Sequence, residues 1–327
     1  MDLRNSSTFA VVFLMFFFWR NVAVNASRGG VGPELITWSQ SHHEPFVEVD
    51  LNGKGNFTSV QAAIDKVRTD NINRFKIYIH PGIYREKVTI PKYKDYITLI
   101  GVDDGQSKTV TTWNDSVTVI VEASYVVATN ITFENTGVSP PGNTRNKEVA
   151  ALKITGDKNF YYKVRLLGNQ GTVLVDNGKH YFLESFFFRK LGSATSLYEE
   201  STINSIAKGK GVIAVNNRDN LDTTGGFAFL GSNVTGTGKL LLSTASGKYS
   251  PVVYSYTNLD NVIDPRGWSD GNDPAKQKTL IFGEYKNTGK GADRSHRVAW
   301  AKYFTPSYAL PFLSRDFING NEWLDLD

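Results

Sequence analysis

The run Gly168-Asn169-Gln170-Gly171-Thr172-Val173-Leu174 leads into Val175-Asp176-Asn177-Gly178-Lys179-His180-Tyr181-Phe182, and Gln170 is one residue in it that could take part in chemistry. A carboxamide N–H can donate to the oxyanion that forms on an attacked carbonyl; in a β-turn the same group also bonds to backbone. Gly171, beside it, has no side chain with which to move a proton. Asp176, Glu184, Glu199 and Glu200 lie near enough in sequence to supply two acids, or they are solvated and turn-stabilising carboxylates; no spacing among them fixes a pair. The histidines, His42, His43, His80, His180 and His296, have no metal-ligand spacing with a second His or Cys, so a surface or structural role is expected for each and no metal site. There is no Gly-x-Ser-x-Gly elbow of a serine esterase.

Groups of this kind need a frame, and the frame reads as mostly β. Val60, Ala63, Ile64 and Val67 share one face of a helix over Ser59–Val67, which Thr58 or Ser59 can cap. Short β-prone runs follow: 76–79, 87–90, 97–100 and 117–121. Three later segments resemble one another, 124–133, 159–167 and 180–188, each with two β-prone runs a few residues apart. From Phe160 to Tyr181 is 21 residues, a step that suits the stacked coils of a parallel β-helix. Many short strands with turns also describe a β-sandwich. In Phe186-Phe187-Phe188 alternate rings point to opposite faces of a strand, and at least one face belongs to a core.

The 327 residues carry a net charge of +4 with no concentrated basic run, which disfavours nucleic acid and permits an acidic polymer. The apolar run Phe9–Trp19, bounded by Arg4 and Arg20 and followed by Val24 and Ala26, reads as a signal peptide over 1–26; an uncleaved anchor is the alternative. Residues 27–45 read as a loose polar segment, and 46–327 as the body. Nothing after the first run is apolar enough to cross a bilayer, so no membrane partner is expected. With no cysteine in a chain read as secreted, stability has to come from a large core. Asn56, Asn114, Asn130 and Asn233 each begin a glycosylation sequon.

Several further runs occur in order between Phe46 and Leu324. They are Pro81-Gly82-Ile83-Tyr84-Arg85-Glu86, Asn130-Ile131-Thr132-Phe133-Glu134-Asn135-Thr136, Val252-Val253-Tyr254-Ser255-Tyr256, Asp264-Pro265-Arg266-Gly267-Trp268 and Phe282-Gly283-Glu284-Tyr285-Lys286-Asn287-Thr288-Gly289. With the run around Gln170 they make the chain resemble plant pectinesterases (pectin methylesterases) that lack an inhibitor-like pro-region. The resemblance implies an all-β fold, a single-stranded right-handed parallel β-helix with a short N-terminal helix. It also implies a monomer with a shallow cleft for homogalacturonan, working in the cell wall without a cofactor. The family chemistry uses one aspartate as nucleophile and a second as acid and base, two glutamines on the oxyanion, and an arginine that holds the nucleophile.

Matched residue by residue, the resemblance implies a degenerate site. Glu148 stands where the first glutamine belongs, and an ionised carboxylate accepts hydrogen bonds but donates none. Gln170 retains the second glutamine, while Gly171 replaces the acid. Around Gly192 the chain is about four residues short of the family pattern, and the nucleophile falls in the missing stretch. Thr244 replaces the arginine and Ser246 a sugar-stacking tryptophan. Two functions follow as expectations: a secreted protein that binds pectin, or a protein partner, with lost or very weak esterase activity, or an active pectin methylesterase whose acids lie elsewhere. A gene model or pseudogene product with a damaged coil is a third origin for the same sequence.

Overall fold

The computed structural model describes residues 45–102, 109–113, 116–137, 150–168 and 172–324. Its strands pair only in parallel and stack into a β-helix, so the sandwich alternative is excluded. One ladder of 11 strands begins at Phe46–Val49 and ends at Lys302–Tyr303. The other, of 14, holds two further faces that merge at the long strand Thr202–Asn216, which pairs with Asn233–Ala245. Each coil therefore contributes a strand to three faces, and the parallel crossovers are right-handed.

Alternation within strands fills the lumen with rings. Tyr161, Phe182, Tyr198, Phe229 and Tyr254 stack with centroids 4.7, 4.7, 5.0 and 4.4 Å apart, all but unexposed. Such offset stacks add to the burial of each ring.

The corner that follows successive strands of the 11-stranded ladder is left-handed. Asn130, Lys163, Glu184, Glu200, Gly231, Tyr256 and Lys286 have φ between 48° and 58°. Left-handed backbone is unfavourable for a residue with a Cβ. It is held here because corner N–H groups donate to the next coil, Glu184 to Glu199 O at 3.1 Å and Glu200 to Leu230 O at 2.9 Å among them. Just past the corners, Ser185, Ser201 and Ser232 form a buried hydroxyl ladder: Ser201 Oγ accepts from Ser185 N, and Ser232 Oγ from Ser201 N, both at 3.2 Å.

The helix Val60–Lys66 begins at Ser59, whose Oγ accepts from Ala62 N at 3.3 Å. The Glu86 carboxylate completes that N-terminus, accepting from Val60 N at 2.8 Å and Gln61 N at 3.0 Å. An anion on the free N–H groups of a helix start is favourable. The face expected to be apolar, Val60, Ala63, Ile64 and Val67, is buried. Toward the C-terminus Glu284 and Arg297 form a buried ion pair, Nε to Oε1 at 2.8 Å and Nη2 to Oε2 at 3.2 Å, to which Trp268 adds its indole N–H at 3.2 Å.

Candidate functional site

The outer face of the second ladder carries a cleft of about 400 Å³. Its floor is built from successive coils. Thr132 pairs with Arg165, Glu134 with Leu167, and Arg165 with Phe186, which pairs in turn with Thr202. Phe188, Asn204 and Ile206 extend the lining, and Thr172 closes it from the side. One wall is anchored by Asn135, buried at 2% exposure, whose Nδ2 donates to Ser116 O and to Ala150 O (3.2 Å) while Oδ1 accepts from Gly137 N at 2.9 Å. Among the described residues that line the cleft, Glu134 is the one carboxylate and Arg165 the one cation.

The coil beside the cleft is short. Asn159 pairs with His180, 21 residues on, but His180 pairs with Ser196 after only 16, whereas the next two coils, Ser196 to Phe227 and Phe227 to Val252, take 31 and 25. The compression falls between the strands Phe186–Phe187 and Lys190–Gly192, which only Phe188 and Arg189 connect. Thr172 braces that link: its hydroxyl accepts from Phe188 N (3.1 Å) and Arg189 N (3.2 Å) and donates to Arg189 O at 3.1 Å.

The short link turns Lys190 into the lumen. Its side chain is fully buried, with Nζ 3.7 Å from the Phe227 ring centroid and 4.1 Å from that of Tyr198. Nζ has no hydrogen-bond partner, and burial holds its pKa well below the ordinary lysine value. His180, also buried, is lowered to about 4 by burial, against the opposing effect of its contact with Asn177 O, 2.6 Å from Nε2. It is therefore neutral at pH 7, donates from Nε2, and leaves Nδ1 unpaired. Of the 12 unpartnered buried side-chain atoms among the described residues, seven belong to this coil and the coils on either side: Tyr161, His180, Arg189, Lys190, Thr195, Ser196 and Tyr198. Such groups are normally satisfied, and here they concentrate on the short coil and its neighbours.

The family model for pectinesterases matches residues 47–321. The chain belongs to the pectinesterase family. It is similar to Pectinesterase QRT1 of Arabidopsis thaliana, 41% identical over 300 residues that cover 86% of this chain and 79% of that protein. Among solved structures it resembles the pectin methylesterase from carrot, with a TM-score of 0.77, 28% identity and coverage of 87% of this chain and 96% of that one. A pectin methylesterase in complex with a hexasaccharide has a TM-score of 0.66 at 18% identity, covering 83% of this chain and 96% of its own. The right-handed parallel β-helix expected from the sequence is borne out.

Of the positions that family resemblance singles out, Glu148, Gln170 and Gly171 lie outside the described residues, as does Asn114; in the chain Gln170 and Gly171 fall between Gly168 and Thr172, both of which line the cleft. Thr244 is half-buried, paired between Val215 and Ser269. Ser246 is exposed and donates to Asn217 Oδ1 at 3.1 Å. Neither belongs to the cleft lining. Gly192, expected to mark the missing stretch, keeps strand register with Val175, and its φ of 134° and the 1.8 Å that a Cβ would make with Val175 O require glycine. Relative to the preceding coil, this one is compressed a few residues ahead of Gly192, at Phe188–Arg189.

The alternative acids do not converge on the cleft. Glu184 pairs with Lys163 and Asp176 with Lys153, each at 3.7 Å, and Glu199 accepts from the Tyr181 hydroxyl at 2.6 Å. Burial raises the Glu200 pKa, with Glu199 and Glu184 adding to it. Of the sequons, Asn56 is exposed, Asn130 occupies a left-handed corner, and Asn233 Oδ1 accepts from Asn258 Nδ2 at 2.8 Å. Sequence reading missed Arg165, Glu134 and Asn204 as lining residues. The signal for Arg165 was its 21-residue offset from Phe186, the same step that relates Phe160 to Tyr181.

Proposed function

We propose that this pectinesterase-family protein binds homogalacturonan in the cleft and has lost, or nearly lost, the demethylesterification chemistry. The observation that carries the reading is the short link at Phe188–Arg189. It passes from one strand to the next with no acid, beside a lining whose described part holds a single carboxylate, Glu134. A covalent route needs a nucleophile and a separate proton donor. Gly171 cannot be that donor, Glu148 repels an oxyanion where a glutamine would donate, and Thr244 carries no charge to hold a nucleophile.

The setting is extracellular: residues 1–26 act as a signal peptide, Asn56, Asn114, Asn130 and Asn233 begin glycosylation sequons, and the monomer works in the cell wall. Family membership favours the second reading, an active pectin methylesterase that releases methanol and pectate, and that reading requires Glu134 and an acid from outside the described lining. Retention on immobilised homogalacturonan tests the first. The expected result is weak binding that declines as salt rises, because the polymer is a polyanion. Retention no better than on a neutral glucan contradicts a pectin ligand and points to a protein partner.

A further inference from the structure

We propose that Arg165, seated on Phe186, is a specificity-determining residue that makes the cleft prefer free galacturonate carboxylates over their methyl esters. This rests on the reading that the cleft holds homogalacturonan. Arg165 is exposed on the cleft floor, and its Cζ stands 4.5 Å from the Phe186 ring centroid, the two residues being direct partners in register. Among the described residues no acid pairs with it. A ring under one face of a guanidinium sheds water from that face and fixes its plane, while the N–H edges stay open to the cleft.

A planar fork of that kind matches a carboxylate through two charge-assisted hydrogen bonds, which a neutral methyl ester cannot reproduce. The rings of Phe186 and Phe188 and the Asn204 carboxamide share the lining and suit a sugar's apolar face and hydroxyls. Glu134, the other charged residue among the described lining, opposes a carboxylate, so within that lining the preference rests on Arg165. The cleft would then read the de-esterified stretches of the polymer.

Calorimetric titration of the intact chain with an unesterified galacturonate hexamer and with its fully methyl-esterified counterpart, at low salt, tests this. The unesterified hexamer should bind at least about tenfold tighter, the scale of one charge-assisted pair. Arg165→Gln should bring the two affinities to within about twofold, and Arg165→Lys should keep part of the preference, since it retains charge but not the fork. Equal affinities in the wild type, tighter binding of the ester, or a preference unchanged in Arg165→Gln overturns the proposal while leaving pectin binding intact. Failure of both hexamers to bind overturns the pectin reading with it.

Discussion

The residue with the largest physical anomaly is Lys190, an amine enclosed by rings with no acceptor. Because its folded pKa is depressed, the unfolded chain binds the extra proton, and stability rises with pH until the unfolded value of about 10.4 is passed. His180 acts in the same sense lower down: the stability it contributes is complete above about 6.5 and is lost as pH falls toward its folded value of about 4. Lys190→Met should therefore raise the urea midpoint at pH 7, by about 1–3 kcal/mol in stability, and flatten the gain seen between neutral and alkaline pH. A variant no more stable than wild type, with the same slope, contradicts a buried unpaired amine. Thr172 carries the opposite expectation. Thr172→Val strips three hydrogen bonds from the link at Phe188–Arg189 and should cost about 1–3 kcal/mol, while Thr172→Ser should be nearly neutral; equal unfolding midpoints for all three would show that the hydroxyl braces nothing.

At the scale of elements, the proposed loss of chemistry rests on the two-residue link between Phe187 and Lys190. On that proposal, chemistry would be reinstated by lengthening the link with a four-residue family-like segment carrying an aspartate, placed between Phe188 and Arg189, together with Glu148→Gln, Gly171→Asp, Thr244→Arg and Ser246→Trp. Groups that act in one step are strongly non-additive, so methanol release should emerge in the complete set and stay absent in each point change. Release from Gly171→Asp alone would mean that a nucleophile survives elsewhere. The same elements show what sequence could reveal. The helix face at Val60, Ala63, Ile64 and Val67 and the 21-residue step were legible because burial imposes a period on side chains. That one coil takes 16 residues where the preceding one takes 21 became visible only with the strand register. Strand register holds Gly192 opposite Val175 and puts the compression of that coil at the preceding link, Phe188–Arg189. The partnership of Arg165 with Phe186 depends on how coils stack, which a linear pattern shows only after the register is known.

At the scale of the whole molecule, a solenoid can hold a coil as short as 16 residues because each coil contacts chiefly its neighbours. The unpartnered atoms gather around residues 180–198, while the aromatic stack continues through Phe182 and Tyr198 and the Glu284–Arg297 pair ties down the far end. The frame and the cleft are those of the family, and the proposed function places the change in the stretch that the chemistry would depend on. Methanol released by the purified chain from highly methyl-esterified pectin, compared with a boiled control, tests that claim most directly. The account predicts no release above the control; turnover of roughly 1 per second or faster, the ordinary range for an enzyme, would contradict it.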